Sequence, residues 1–330
     1  MNIVQFLLFF LLALLPLGQI GRLSFWNGSI NVLPLDVAVF ATILAWLVSR
    51  KSKIGGTLKK PLLLFASIAI FSLLINTKDV APNELLVSFL YFVRFCLYVS
   101  LYFVLRKQSQ AFKKKFIFGL LLSGLLIVLL GIAQYFLYPD LRNLYYSGWD
   151  EHLYRVFSTF LDPNFVGAFF VLELLLATSI FFHKIFAKRW QNYLLLCIVA
   201  ITFLTLLLTY SRSAFLMLIV TLIMFFTLIK RVRYLALFAV FFAVGIFFLP
   251  KDLQSEGVNL FRTASIIARS DEVNSAITII KGNWLFGVGF NAYRFVKRDY
   301  GFLKEEAWQN VHSGGGTDNS FLFVIATAGI

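Results

Sequence analysis

The sequence predicts an all-α integral membrane protein, a multi-pass helical bundle with one large loop outside the membrane. Of its residues, 60% are hydrophobic and only 14% are charged, and the mean hydropathy is +0.83. Soluble globular domains carry considerably more charge than this. Long apolar runs recur along the chain, and a run of about 18 residues or more can cross the roughly 30 Å hydrocarbon core of a bilayer.

Ten apolar segments follow one another, and the tenth begins near Asn319 and is still apolar at Ile330. Because so short a segment cannot cross a bilayer, we expect further sequence after it, for about 11 to 12 spans in the full protein. The first segment has neither a charged leader nor a small-residue cleavage site, so we interpret it as a retained helix. The other nine segments are 3–21, 30–48, 61–76, 85–105, 116–138, 163–182, 192–209, 214–229 and 234–250.

The net charge of +14 is concentrated in alternate loops. Loops 50–60, 106–115, 183–190 and 230–233 contain basic residues and no acidic residue, whereas the other short loops mix the two signs. For a protein of the plasma (inner) membrane, the positive-inside rule therefore predicts a cytoplasmic N-terminus, and it makes 251–318 an extracytoplasmic loop before the last span. Membrane lipids with anionic head groups are the expected partner of this charge. Nucleic acid is not, because the basic residues form no single patch.

We expect residues 1–330 to form a single polytopic membrane domain. Within the loop 251–318, apolar residues recur at helical spacing between 258 and 280, which predicts one amphipathic helix or two short ones. Cys96 and Cys197 fall inside apolar segments, so no disulfide framework is expected. The sequence has three histidines, no paired Cys/His spacing and no Asp-X-Asp pair, so it predicts no metal site and no cofactor.

Three stretches on the predicted outer face hold the polar residues of interest. YRVFSTFLDPNF (154–165) enters the sixth span, LTYSRSAF (208–215) joins the seventh and eighth, and the third runs from NWLFGVGF (283–290) to GTDNSFLFVIATAGI (316–330). Arg212 stands between two uncharged apolar runs. Because an arginine at bilayer depth costs at least a few kcal/mol, Arg212 either reaches the surface or is held there for a function.

In this order and on this topology, the three stretches resemble the O-antigen ligase and polysaccharide polymerase family, which are membrane-embedded transferases of lipid-linked glycans. The resemblance rests on Arg155 with Pro163-Asn164, on Ser211-Arg212, on Gly287-Val288-Gly289, and on Asp318-Asn319 before a span ending in Gly329-Ile330. It implies a glycosyltransferase at the outer face of the membrane. The donor would be a polyprenyl (undecaprenyl) pyrophosphate-linked oligosaccharide, and the acceptor a glycan, a lipid A core or a protein. Components of a polysaccharide export machine are further candidate partners.

The chemistry of such a donor suits these residues. Pyrophosphate is already a good leaving group, so the main requirement is to hold and neutralise it, and the arginine guanidinium binds phosphate oxygens through paired hydrogen bonds. The resemblance thus implies a metal-independent enzyme in which Asp318 and Arg212 are catalytic, with Asp318 the base toward the attacking hydroxyl. The candidate substrate-binding residues are Arg155, Asn164, Ser211, Arg262, Arg269, His312 and Asn319.

Structural interpretations compete with several of these assignments. Arg212 could extend to the lipid head groups, and Arg155 could pair with Asp150 or Glu151. Asp318 follows a glycine run and precedes an apolar segment, so it could be the N-cap of the last helix.

Other residues of the three stretches also have structural alternatives. Pro163-Asn164 after Asp162 is an ordinary helix start, the glycines of Gly287-Val288-Gly289 suit a turn, and Arg262 and Arg269 could lie on a solvated helix face. The loop aromatic residues could stack on sugar rings or anchor the interface; they are Trp284, Tyr293, Tyr300 and Trp308.

Arg94 lies in the middle of the fourth apolar segment, and Asp36 and Glu173 are the carboxylates placed deep enough to pair with it. An ion pair is the expected arrangement. Such charges also leave open a transporter or flippase, and a non-catalytic component of an export machine is a third class. Within the enzyme class we expect a polymerase, because ligases of the family carry histidine where this sequence has Asp318.

Overall fold

The computed structural model describes residues 2–26, 28–49, 55–78, 80–147, 149–186, 188–250, 256–260, 264–303, 316–317 and 319–329. Within these ranges the chain forms twelve α-helices, several short 3₁₀ turns, and one antiparallel hairpin of β1 (Leu23–Phe25) and β2 (Ile30–Val32). The helices are α1 (Ile3–Leu14), α2 (Pro34–Ser49), α3 (Lys59–Ile75), α4 (Pro82–Arg106), α5 (Gln110–Leu137), α6 (Pro163–Phe182), α7 (Arg189–Leu207), α8 (Arg212–Leu228), α9 (Arg233–Phe247), α10 (Ala264–Gly282), α11 (Tyr293–Asp299) and α12 (Ser320–Ala328).

Each of the ten predicted apolar segments overlaps one of these helices. Among the described residues, α4, α5, α6 and α7 are the four helices whose length and composition suffice to cross a membrane. The remaining apolar helices, such as α8 and α9, are shorter. These findings support an all-α membrane protein, while the count of about ten spans stays a prediction.

Two apolar segments differ from the prediction at their ends. The first is helical only to Leu14 and continues as a 3₁₀ turn to Leu17, where Gly18 reverses the chain at φ 51°. The second begins as strand β2, and its helix starts only at Pro34. Proline disfavours helical geometry in the residue before it but fits the first turn of a helix, which explains why the helix starts there.

The first of two compact units comprises Met1–Leu11, Arg22–Ser109 and Thr263–Ile330. Its helix pair α2 and α4 is joined by the predicted intramembrane ion pair. Arg94 Nη2 lies 2.7 Å from Asp36 Oδ2, and Tyr98 Oη donates to Asp36 Oδ1 over 2.6 Å. The expectation of an ion pair at Arg94 is therefore confirmed, with Asp36 as the partner.

Residues 286–289 dock onto the end of α12 within this unit. Val288 N and Gly289 N donate to the carbonyls of Ala326 and Thr327 at 2.8 and 3.1 Å. Ser72 Oγ of α3 donates to the carbonyl of Thr327 over 2.7 Å. Gly287 and Gly289 have φ of +63° and +98°, a region in which residues other than glycine are strained. Both glycines therefore have the structural role that the sequence indicated.

The second unit comprises Leu12–Gly21 and Gln110–Arg262. It has α6 at its centre, packed against α7 and α8. Fully buried side chains of its core include Phe170 of α6, Leu206 of α7 and Leu218 of α8. Glu173 is also buried in this unit, next to Gly124 of α5. This packing fixes the N-terminal ends of α6 and α8, where three of the candidate residues lie: Asn164, Ser211 and Arg212.

Candidate functional site

The starts of α6 and α8 are each fixed by a side-chain cap. Asp162 caps α6, because its Oδ1 accepts from the backbone N–H groups of Asn164 and Phe165 at 2.7 and 3.2 Å. Ser211 caps α8, and its Oγ accepts from Ala214 N at 3.4 Å. The expected helix start at Asp162 is confirmed. Each cap satisfies backbone donors that a helix leaves without an intrahelical partner.

A side-chain hydrogen bond joins the two helix starts. Ser211 Oγ donates to Asn164 Oδ1 over 2.9 Å, and Ser211 is completely buried. The helices approach closely here, since a Cβ atom built on Gly167 would lie 2.8 Å from the Cβ of Ala214. Two helix N-termini thus lie side by side. Each N-terminus carries roughly half a positive charge. The Asp162 carboxylate offsets this charge at α6, whereas α8 is capped by the neutral Ser211, so the start of α8 is the part of this region that attracts anions.

Arg212 is the first residue of α8 and lies half-buried at this region. Its Nη1 donates to the carbonyl of Leu260 over 3.4 Å. Leu260 belongs to the segment that follows α9 and packs against the core of the second unit. The guanidinium is therefore close to the paired helix starts and is covered on one side by the beginning of the long loop.

Arg155 is buried beneath the turn that precedes Arg212. Only 3% of it is exposed, and its Nε donates to the carbonyl of Thr209 over 2.8 Å. Next to it, Val156 N donates to the carbonyl of Leu208 over 2.9 Å. A charged residue on a solvated loop would be exposed, whereas Arg155 is buried. Arg155 instead connects the segment before α6 to the turn between α7 and α8.

The backbone around these residues is strained. Tyr154, Ser158, Leu161 and Tyr210 all have positive φ, between 48° and 59°. The left-handed region costs a residue other than glycine roughly 1–2 kcal/mol. Such strain persists only where surrounding structure imposes it, and it is commonest at functional sites. Four such residues lie around Arg155 and Arg212. This part of the second unit is therefore a candidate functional site.

Gln134, near the end of α5, holds the strained segment and was not singled out in the sequence. Its Oε1 accepts from the N–H groups of Phe157 and Ser158 at 2.9 and 3.1 Å. Its Nε2 donates to the carbonyl of Arg155 over 3.3 Å. An amide at the end of an otherwise apolar segment, GIAQYFL, was the signal that could have identified it.

Asn319 is the N-cap of α12. Its Oδ1 accepts from the N–H groups of Phe321 and Leu322 at 3.0 and 3.2 Å. The alternative role of Asp318 as N-cap is therefore wrong by one residue, because Asn319 occupies the cap position itself. The amide oxygen of Asn319 thus accepts its hydrogen bonds from the start of the helix.

The remaining candidates are distributed as follows. Arg269 lies half-buried on α10, in the same unit as Asn319, whereas Asp318, Arg262 and His312 lie outside the described residues. The second unit thus brings together Arg155, Asn164, Ser211 and Arg212, which are far apart in the sequence.

The aromatic residues of the long loop differ in exposure. Trp284 and Tyr300 are exposed, as sugar stacking or anchoring at the membrane interface requires. Tyr293 is completely buried against Phe323, and burial, with the charge of Glu272 close by, raises its pKa to about 12. Tyr293 is therefore a neutral core residue. Trp308 lies outside the described residues.

A cavity of about 830 Å³ opens among α6, α7, α8 and α9 in the second unit. Its walls are almost wholly apolar, with Leu174, Ala200, Phe238 and Gly245 among the lining residues. The lining continues to Pro250, whose carbonyl accepts a hydrogen bond from Tyr210. The cavity thus extends from the apolar middle of the helices to the strained turn before Arg212.

In the part of the chain that the structure describes, no group of three or more His, Cys, Asp or Glu side chains is placed to hold a metal ion. Together with the carboxylate of Asp162, which caps α6, the polar groups gathered at the starts of α6 and α8 are guanidinium, amide and hydroxyl groups. This donor set binds anions such as phosphate.

Residues 197–330 match a protein family described as O-Antigen ligase, which confirms the resemblance over that part of the chain. No curated protein and no solved structure matches the chain. The matched range includes Arg212 and Asn319 but begins after Arg155 and Asn164, which the fold connects to it through Thr209 and Ser211.

Proposed function

We propose that this protein, whose residues 197–330 match the O-Antigen ligase family, is a membrane glycosyltransferase that polymerises a surface polysaccharide. It would take a glycan from a polyprenyl pyrophosphate carrier and join it to an acceptor glycan at the outer face of the plasma membrane. The observation that supports this most directly is the Ser211–Asn164 hydrogen bond, because it holds two helix N-termini together beside Arg212.

The paired helix starts suit the pyrophosphate of the donor. Arg212 supplies a guanidinium at the rim, and the N-terminus of α8, which the neutral Ser211 caps, adds its partial positive charge. Arg155, fixed below by Thr209, contributes a second permanent positive charge. These groups are already in position before the reaction starts. They can therefore stabilise the negative charge that develops on the leaving group without having to move during the reaction.

The transfer itself forms one bond and breaks one bond. The oxygen of an acceptor hydroxyl attacks the anomeric carbon of the donor, and the bond from that carbon to the pyrophosphate oxygen breaks. The lipid pyrophosphate leaves with the bonding electron pair, which the arginines stabilise. The hydroxyl proton passes to the carboxylate of Asp318, the proposed base.

The apolar cavity among α6–α9 suits the carrier rather than the sugar. A polyprenyl chain is a long hydrocarbon, so an apolar wall that leads toward Arg212 would let the chain remain in the membrane while its pyrophosphate reaches the helix starts. We favour a polymerase over a ligase because aspartate occupies position 318, where ligases of the family carry histidine.

Arg212 provides the test of this proposal. In proteoliposomes given a purified lipid-linked donor, Arg212→Ala should lower transfer about 100-fold or more. Arg212→Lys should fail nearly as badly, because a point charge cannot replace the planar pair of donors. Arg233→Ala is the matched control, since Arg233 is likewise the first residue of an apolar helix in the same unit. Near-normal transfer by Arg212→Ala would overturn the proposal.

A further inference from the structure

Three consecutive large apolar side chains are exposed just after α10, in the first unit. They are Trp284, Leu285 and Phe286, and they directly precede Gly287, where the backbone turns at positive φ. A contiguous exposed apolar surface commonly marks contact with a partner or with a membrane. We call residues 284–286 the Trp284 patch.

The Trp284 patch continues an exposed apolar face of α3. Phe286 contacts Phe71 of α3, with ring centroids 5.9 Å apart and the rings steeply inclined to each other. Phe71 is itself exposed, as are Leu64, Ile68 and Ile75 of the same helix. These four residues recur every three or four positions and therefore share one side of α3. In a membrane protein, an apolar helix face of this kind is covered by lipid.

Two buried polar side chains of α3 bind the backbone of the turn that follows the patch. They are Ser72 and Asn76. Ser72 Oγ lies 2.6 Å from the carbonyl oxygen of Phe286 and 2.7 Å from that of Thr327, so its one proton is shared between the two. Asn76 Nδ2 donates to the carbonyl of Gly287 over 3.1 Å. The patch is therefore fixed at the end of α3 where Ser72 and Asn76 lie.

The N–H groups of the turn are bonded as well. Gly287 N donates to the carbonyl of Asn283 over 2.9 Å, and Val288 N and Gly289 N donate to the end of α12. Backbone that is not helical is tolerated at membrane depth only where the protein satisfies its hydrogen-bonding groups. The turn meets this requirement at three consecutive N–H groups and at the carbonyls of Phe286 and Gly287. It can therefore lie at membrane depth without leaving these groups unpaired.

The depth of the patch follows from α3. This helix starts after loop 50–60, which the predicted topology places in the cytoplasm, so Ser72 and Asn76 lie at its outer end. Tryptophan is common where the hydrocarbon meets the head groups, and leucine and phenylalanine favour the hydrocarbon itself. A sugar, by contrast, needs hydrogen-bonding partners for its hydroxyl groups, and the side chains of Leu285 and Phe286 offer none.

We propose that residues 283–289 form a re-entrant turn whose Trp284 patch is inserted among the lipid acyl chains of the outer leaflet, beside the outer end of α3. The partner of this surface is the bilayer itself. The turn holds the end of α12 at the same depth, because Val288 and Gly289 are bonded to it. This inference does not depend on the reaction assigned to Arg212.

Fluorescence quenching from the lipid and from the water tests the inference. In a full chain with Cys96→Ala and Cys197→Ala, Leu285→Cys is labelled with a nitrobenzoxadiazole dye and placed in phosphatidylcholine nanodiscs, which leave both membrane faces accessible. Lipids that carry a spin label on the acyl chain should quench this dye. Iodide should quench it about tenfold less than the same dye at Lys281→Cys, because burying an anion in an apolar medium is costly. Lys281→Cys is the matched control, since Lys281 is exposed and only four residues away.

Two outcomes would overturn the inference. If iodide quenches the dye at residue 285 as strongly as at residue 281, the patch lies in water, where it is free to stack on a glycan. If neither iodide nor the spin-labelled lipid quenches it, another part of the protein covers the patch. Trp284→Cys replaces Leu285→Cys if the latter fails to fold, and the same pattern is expected of it.

Asn76→Ala tests whether the hydrogen bonds of the turn set its depth. This substitution removes the donor to the Gly287 carbonyl, and an unpaired carbonyl is disfavoured in hydrocarbon. The dye at Leu285→Cys should then become accessible to iodide, while the dye at Lys281→Cys should not change. An unchanged dye at residue 285 would refute this part of the proposal. Arg212→Ala should leave both dyes unaffected, so failure of the proposed function is distinguishable from failure of this inference.

Discussion

Arg155 and Arg212 contribute to one region of the second unit in different ways. Arg155 is buried, and its guanidinium is oriented by the carbonyl of Thr209. Arg212 is half-buried and has a long contact of 3.4 Å to the carbonyl of Leu260. A buried, oriented guanidinium supplies fixed charge, whereas a partly exposed one can adjust to a ligand that enters from outside. The two arginines are therefore suited to complementary tasks at one pyrophosphate.

Asp318 and Asn319 are adjacent in the sequence. Replacing each of them separately distinguishes an effect on helix capping from an effect on catalysis. Asn319→Ala removes the N-cap of α12, so it should lower the free energy of unfolding by about 1 kcal/mol. Asp318→Asn leaves that cap in place, and it should keep the stability while most glycosyl transfer is lost. Thermal unfolding and transfer in proteoliposomes measure the two effects. Full activity of Asp318→Asn would show that the base lies elsewhere, with His312 the next candidate.

The helix pair α6 and α8 positions the proposed donor site through close contact at Gly167. The glycine lets Asn164 and Ser211 lie within hydrogen-bonding distance on adjacent helices. The capping side chains then fix where each helix starts. The site thus depends on the spacing of two whole helices as much as on any single side chain.

Replacing Gly167 should disturb the site without removing a polar group. A Cβ atom there would lie 2.8 Å from the Cβ of Ala214, a contact that only a shift of the helices can relieve. We expect Gly167→Ala to lower the affinity for farnesyl pyrophosphate at the Arg212 site about tenfold. Gly245→Ala is the control, because the nearest atom to its added Cβ would be the end of the flexible Leu207 side chain. Equal binding by both variants would contradict this role of Gly167.

For the whole molecule, the orientation in the membrane is the most general prediction. Residue 109 should face the cytoplasm and residue 255 the outside, because alternate loops are basic without acidic residues. In a background with Cys96→Ala and Cys197→Ala, an impermeant maleimide should label Ser255→Cys in intact cells. Ser109→Cys should react only after permeabilisation. The reverse pattern would place the proposed site on the cytoplasmic face and refute its assignment.

Much of the architecture was predictable because apolar length is a strong local signal. It placed a helix in every apolar segment, and local cap chemistry gave the start of α6 at Asp162. The start of α2 was misplaced, since Ile30–Val32 is as apolar as the helix that follows. Only Pro34, together with the Asn-Gly turn signal before the strand, indicates the boundary there.

The candidate site was predictable in its residues but not in its construction. Ser211 and Asn164 belong to the recognised motifs, but their mutual hydrogen bond depends on how α6 and α8 pack. The positive φ of Tyr210 likewise follows from tertiary contacts that no local pattern encodes. The amide within GIAQYFL could have drawn attention to Gln134, but not to the backbone groups that it binds.

The tie between residues 287–289 and the end of α12 has a consequence for biosynthesis. Val288 and Gly289 donate to carbonyls of Ala326 and Thr327, which leave the ribosome only later. Because the ribosome adds about 5–20 residues per second, the carbonyls that these amides bind are synthesised seconds after the amides themselves. The second unit, by contrast, is complete once Arg262 has been synthesised. A nascent chain that ends before residue 326 would therefore contain all residues of the second unit, whereas the first unit would still lack the two carbonyls that these amides bind.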